Sequence, residues 1–188
     1  MRKALIRSVI ILGIVVAAAG IGFLWDYVTT GIDKSRYTTP YGGFVDAFSR
    51  EYGVGGEIIY AVMRAESGFR SDAVSRAGAV GLMQITPDTF DWLMTKTGEH
   101  HEHGMLYNPE INIKYGAYFL SLLYSEFGDW DIAFAAYNAG RASVHGWMAS
   151  EEYYRDGKLV NIPYPETDNY VKKVNKFVKI YKRLYYSS

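Results

Sequence analysis

The chain has 188 residues, with 20 Lys and Arg against 20 Asp and Glu, so its formal net charge is zero. That length fits one domain with a real core plus a tail, and the balanced charge argues against a protein that holds nucleic acid or another polyanion by bulk electrostatics. Cysteine is absent, which rules out disulfides, thiolate metal sites and cysteine-linked lipids.

The amino terminus carries the strongest compositional signal. Met1–Arg7 holds Arg2, Lys3 and Arg7, and no charge follows from Ser8 to Trp25. A helix of that length spans roughly 27 Å, close to the hydrocarbon thickness of a bilayer. Trp25 and Tyr27 suit the far interface, and the basic flank keeps the N-terminus inside. The segment therefore reads as a single transmembrane anchor over 8–25, with a cytoplasmic flank over 1–7 and an exported body. A cleaved signal peptide is the rival reading, with Val9–Val16 as apolar core and Ala17, Ala18 and Ala19 as cleavage site. It gives a secreted body instead. Residues 26–42 are polar and punctuated by Gly31, Pro40 and Gly42, and read as a linker. The globular part is expected over 43–188.

That body reads as all-α. Phe44–Tyr52 is a short helix closed by Gly53. Glu57–Glu66 follows, with Ile58, Ile59, Val62 and Met63 at helical spacing. Thr86 caps and Pro87 opens a helix that runs to about Lys96. Asn108-Pro109 opens the longest body helix, with Ile113, Phe119, Leu120, Leu123 and Phe127 inward, and Gly128 ends it. Asp129 caps a helix that stops at Gly140, and a short one follows around Ser143–Ala149. Thr167 begins the last, with Tyr170, Val174, Phe177, Val178, Tyr181 and Leu184 on one face. Residues 158–164, "KLVNIPY", form a short extended piece at most.

Glu66 lies on the apolar stripe of its own helix, four residues after Val62 and three after Met63. A carboxyl desolvated there stays protonated near neutrality, as a general acid requires. A side chain turned out to water, or paired with Arg64 or Arg70, fits the same spacing. The stretch after it, "GAVGLMQITP", holds Gly78 and Gly81, where backbone can approach a ligand closely. Gln84 offers both donors and acceptors to sugar hydroxyls and acetamides. Tyr137-Asn138 reads either as site residues or as a core tyrosine and a helix-ending asparagine. The chain's seventeen tyrosines suit a carbohydrate cleft, a core or a membrane interface alike.

Four blocks in order, "AESGF…S…GAVGLMQITP", "LYNPEINIKYGAYFLSLL", "AAYNAG" and "IPYPETDNYVKKV", resemble the soluble-type lytic transglycosylase domain. The resemblance covers about Phe44 to Tyr185. It implies a lysozyme-like helical fold and cleavage of the β-1,4 bond between N-acetylmuramic acid and N-acetylglucosamine in peptidoglycan. The muramyl C6 hydroxyl replaces water as nucleophile and leaves a 1,6-anhydro end. The resemblance makes Glu66 the catalytic acid. It makes Ser75, Gly81, Leu82, Met83, Gln84, Tyr137, Asn138 and Tyr170 the substrate-binding residues, with Ser75 holding the N-acetyl group and the acid, and Tyr137 beside the acid. One carboxyl serves both proton transfers, where ordinary glycosidases use two, and no cofactor is implied. The chain departs from the family at Thr86, where methionine is frequent, at Asn161, where an acid is frequent, and at Asp168, where a base is frequent. A hydrolase of the goose-type lysozyme kind and a non-catalytic peptidoglycan-binding scaffold are the alternatives.

Two further clusters have plainer readings. His100, His101 and His103 lie between helices without the i, i+4 pair of a metalloprotease motif, so no metal site is expected. Lys172, Lys173, Lys176, Lys179, Lys182 and Arg183 on the last helix form a solvated outer face or attract anionic polymers or headgroups.

Overall fold

The computed structural model describes residue 16, residues 18–25 and residues 30–187. The basic flank over 1–7 lies outside the described residues, as does much of the 8–25 anchor. Residue 16 and residues 18–25 are helical and exposed. Among the described residues no helix is long and apolar enough to cross a membrane.

Contacts divide the chain into two units, Met1–Thr38 and Thr39–Ser188. Within the first, the expected linker is partly helical: residues 30–36 form helix, and the Tyr37 amide closes it on the Asp33 carbonyl at 2.8 Å. The polarity that suggests a linker is also the polarity of a short helix wetted on all sides.

The second unit begins with α1 (Gly42–Tyr52) and α2 (Gly56–Glu66), each starting a residue or two before the sequence signals place it. Gly53, at φ 66°, ends α1 in the left-handed conformation. α3 (Pro87–Thr97) starts where expected: the Thr86 hydroxyl accepts from the Thr89 amide at 3.2 Å, and Pro87 needs no amide donor in the first turn. A 3₁₀ turn (His103–Tyr107) leads to α4 (Pro109–Phe127), capped by Asn108 and stopped by Gly128. α5 (Trp130–Ala139) is capped by Asp129. Gly140 ends α5 and directly begins α6 (Arg141–Met148), so no gap separates them.

The extended piece is smaller than expected and has a partner. β2 (Lys158–Leu159) pairs antiparallel with β1 (Tyr154–Arg155). The turn between them is Asp156-Gly157, both at positive φ, the dipeptide that a two-residue hairpin favours. α7 (Pro165–Tyr181) starts two residues before Thr167, because Pro165 opens the helix at its first position. A π turn (Lys182–Tyr186) extends it.

α2 is the central helix. Ile58 through Met63 are all buried, as befits a helix packed on every side. It packs chiefly on α7 and also on α1. α5 lies against α4, α6 and α7, with Ile132–Ala136 buried. The inward faces expected of α4 and α7 hold in the main. Ile113, Phe119, Leu120 and Leu123 are buried, as are Tyr170, Val174, Tyr181 and Leu184, whereas Phe127, Phe177 and Val178 are half-buried. Phe127 rests on His145, and Phe177 lies under the Arg64 guanidinium. This frame brings the C-terminal end of α2, the end of α5 and the start of α7 together.

Candidate active site

The loop after α2 is wound tightly by its own backbone. The Gly81 amide donates to the Ala73 carbonyl at 2.9 Å, and Val80 exchanges both hydrogen bonds with Ile85. A small turn at its outer edge closes on Ser75, whose hydroxyl accepts from the Ala79 amide at 3.0 Å. Three side chains from elsewhere pin the loop to the core. The Ser67 hydroxyl donates to the Leu82 carbonyl at 2.8 Å. The Tyr137 hydroxyl donates to the Met83 carbonyl at 2.7 Å. Asn112, fully buried on α4, accepts from the Met83 amide at 2.7 Å and donates to the Val80 and Leu106 carbonyls at 2.9 and 2.8 Å.

Gly81 sits at φ 81°, and a Cβ there would strike the Asn112 amide and the Leu106 carbonyl. The close approach this glycine permits is to the Asn112 side chain and the Leu106 carbonyl. Leu82 and Met83 are fully buried core side chains, with Met83 packed against Gly116. These three predicted substrate residues shape the loop and do not line the cavity, because the pinning turns their side chains inward. Gln84, at φ 51°, spends both amide hydrogens on the loop. Its Nε2 donates to the Gly81 and Ala73 carbonyls at 2.9 and 3.1 Å. Two carbonyls facing one end of the amide fix its orientation and leave Oε1 as an acceptor.

A cavity of about 600 Å³ opens beside this loop. Glu66, Ser75, Gln84, Tyr137 and Asn138 all line it, and Arg76, Thr86 and Glu166 supply its other polar side chains. Asn138 is held by the Thr167 hydroxyl, which donates to Oδ1 at 2.8 Å. The next acids after Glu66 in the chain, Asp72 and Asp88, do not line the cavity, and Asp88 is the first-turn acid of α3. The second carboxylate here is Glu166. Beside Pro165, in a helix's first turn, it reads in sequence as a dipole partner.

Glu66, the last residue of α2, is partly buried between α7 and the loop. Burial pushes its pKa from 4.5 to about 7, against the pull of the Tyr170 hydroxyl and the Lys173 charge. The other carboxyls that depart clearly from the ordinary value go the opposite way: Lys114 holds Glu99 down to about 2, and Glu126, though desolvated, is lowered by its partners Arg141 and His145. Tyr170 is buried, and its hydroxyl is the one buried side-chain polar atom among the described residues with no hydrogen-bond partner of full geometry. Burial first, then the Glu66 charge, raises its pKa well above the ordinary tyrosine value. Tyr137 is raised in the same way, but its proton is committed to Met83. Of the two tyrosines, Tyr170 is the one whose hydroxyl bears on the Glu66 carboxyl.

The histidine loop is tied down by one ion pair and two histidine–carboxylate contacts. His101 contacts Glu99 at 3.2 Å, Lys114 contacts the same carboxylate at 2.5 Å, and His103 contacts Asp91 at 2.8 Å. Among the described residues, no three His, Asp or Glu side chains are grouped to hold a metal ion.

Residues 44–160 match the transglycosylase SLT domain family. The chain belongs to this family. The soluble lytic murein transglycosylase of Salmonella typhimurium is 32% identical over 166 residues, covering 86% of this chain and 25% of that protein. The membrane-bound lytic murein transglycosylase C of Glaesserella parasuis is 30% identical, over 74% of this chain and 45% of that protein. An inactive mutant of the lytic transglycosylase Slt from Pseudomonas aeruginosa superposes with a TM-score of 0.73 at 33% identity, over 80% of this chain and 25% of that one. The chain thus spans about a quarter of the length of the soluble relatives it matches. The SLT match stops before α7, so Glu166, Tyr170 and Lys173 lie beyond it.

Proposed function

We propose that this SLT domain is a peptidoglycan lytic transglycosylase. Glu66 gives its proton to the glycosidic oxygen as the bond to muramyl C1 breaks. The substrate's own acetamide then stabilises C1. The resulting carboxylate takes the proton of the muramyl C6 hydroxyl as its oxygen bonds to C1, which regenerates the acid and leaves a 1,6-anhydro end. Gln84 Oε1, Ser75 and Asn138 meet the sugar, Tyr170 steadies the acid, and Tyr137 holds the loop that shapes the subsite. The observation that carries this reading is a single carboxyl, burial-raised to about 7, facing a cavity of about 600 Å³. Such a group is half protonated near neutral pH, as a general acid that must also act as base needs.

Glu166 on the same cavity wall gives a goose-type-lysozyme-like hydrolase its one specific support, as a base for water. Replacing Glu66 by Gln tests the main reading. The variant should still bind peptidoglycan and lose on the order of 10²–10⁴-fold in turnover, the range of general acid–base catalysis. Near-normal turnover would remove Glu66 from the reaction.

We also propose that the uncharged run Ser8–Trp25 anchors the domain to the cell membrane, with 1–7 cytoplasmic, 26–42 a tether and the catalytic domain outside. Relatives named both soluble and membrane-bound make attachment a variable feature of these enzymes. The full chain should fractionate with membranes and keep its N-terminus. A mature protein beginning at Gly20 would establish signal cleavage instead.

A further inference from the structure

Lys173 takes no part in the proton transfers proposed for Glu66, yet it reaches the acid's own helix end. It stands three residues after Tyr170 on α7, the helix that packs most extensively on α2. Its Nζ donates to the Ala65 carbonyl at 2.7 Å. Ala65 immediately precedes Glu66, and its carbonyl is among the last of α2, where the helix offers no amide partner. The neighbouring amides do not fill that place: Ser67 and Gly68 both turn back to the Met63 carbonyl. A helix C-terminus carries partial negative charge that opposes a carboxylate in its last turn. The lysine therefore meets both a backbone need and an electrostatic one. Arg70 also bonds at this end, its Nε donating to the Ser67 carbonyl at 3.1 Å, but the charge that draws the Glu66 carboxyl down is that of Lys173. Arg64 on α2 lies over the Phe177 ring at 5.4 Å. Tyr137 on α5 bonds Met83. Arg76 on the loop and Glu166 on α7 line the cavity. Tyr170 offers a neutral hydroxyl.

We infer that Lys173 is a positioning residue for the acid: it fixes the last turn of α2 and supplies the positive charge that lets Glu66 exist as carboxylate between its two proton transfers. This rests on Glu66 serving as both acid and base. Without the lysine, only the Tyr170 hydroxyl would oppose burial and the helix end, and the carboxyl would hold its proton more firmly. The Lys173 charge draws the Glu66 pKa down, in keeping with that role.

The test uses the full chain, with Lys173→Met, Lys173→Arg and, as a control, Lys176→Met. Lys176 is exposed, one turn further along α7, and lines a separate surface cavity. Two readouts are taken: carbon-13 NMR titration of the Glu66 side-chain carboxyl without substrate, and the pH dependence of kcat/KM on peptidoglycan. In Lys173→Met the NMR midpoint and the alkaline limb should both move up by roughly half a pH unit, the size one charge exerts through partly wet protein. Lys173→Arg should restore both, and Lys176→Met should match the parent. A loss of helix packing alone would lower activity without moving either midpoint. An unmoved NMR midpoint in Lys173→Met overturns the inference. The NMR arm needs no turnover, so it decides the role of Lys173 even if the products show that the proposed reaction is wrong.

Discussion

A buried acid that serves catalysis should weaken the fold that holds it, and the size of that effect follows from the site. In the unfolded chain Glu66 titrates near 4.5; in the folded domain, burial moves it to about 7. Below 4.5 both states are protonated and the residue is neutral to stability. As pH rises, the unfolded chain ionises first, so the folded state holds more protons and loses stability until it too ionises. Above about 7 the full penalty is present. Each pH unit that separates the two midpoints is worth about 1.4 kcal/mol, so between pH 5 and pH 8 the loss comes to about 2.5 kcal/mol. Glu66→Gln cannot ionise and escapes it. Thermal unfolding of parent and variant at both pH values isolates the effect, because every other titrating group cancels in the difference. For a domain of this size the Tm advantage of Glu66→Gln should grow by about 5–10 °C from pH 5 to pH 8. Parallel Tm curves would mean that Glu66 is solvated and ordinary, and the acid–base argument would fail with it.

The pinned loop and the histidine segment give further expectations. Asn112→Ala strands the Met83 amide and the Val80 and Leu106 carbonyls in the core, so it should cost about 3 kcal/mol and lower the Tm by about 6–12 °C in a calorimetric scan. Tyr137→Phe loses only its bond to the Met83 carbonyl; the protein should stay folded while kcat/KM falls about ten- to hundredfold, and parent-like turnover would free the loop from any dependence on this hydroxyl. Replacing His100, His101 and His103 together by Ala should change activity only modestly, and EDTA should leave it unchanged. Stoichiometric zinc in purified protein, with loss of activity on chelation, would contradict that reading.

Helix ends are the most legible feature, because each is written in one or two residues. Thr86-Pro87, Asn108-Pro109, Asp129 and Gly128 all act where local chemistry places them. The hairpin is harder to see: Asp156-Gly157 is a strong turn signal, but its strands are only two residues each, too short to show alternation. What the sequence hides is partnership at long range. Asn112 looks like an indifferent residue inside an apolar helix, and two of its three partners lie 29 and 32 residues back in the chain. The same contact explains Gly81: the need for a small residue is visible in the sequence, but not that the Asn112 side chain occupies the space. Glu166 is hidden because its cavity forms only when α7 docks beside α2. The resemblance sets Tyr137 beside the acid and gives Tyr170 only as a substrate-binding residue, with nothing to say whose hydroxyl is already committed. Packing decides it, by satisfying one hydroxyl and leaving the other without a partner of full geometry.

The most direct test of the central claim is the mass spectrum of muramyl products released from purified peptidoglycan in heavy-oxygen water. Glu66 acting as acid and then as base toward the C6 hydroxyl predicts 1,6-anhydro ends, lighter than hydrolytic ends by one water and free of heavy oxygen, and it predicts their disappearance with Glu66→Gln. Reducing muramic acid ends that carry the heavy isotope would contradict it, because water would then be the nucleophile and a second group, with Glu166 the one other acid on the cavity wall, would have to activate it.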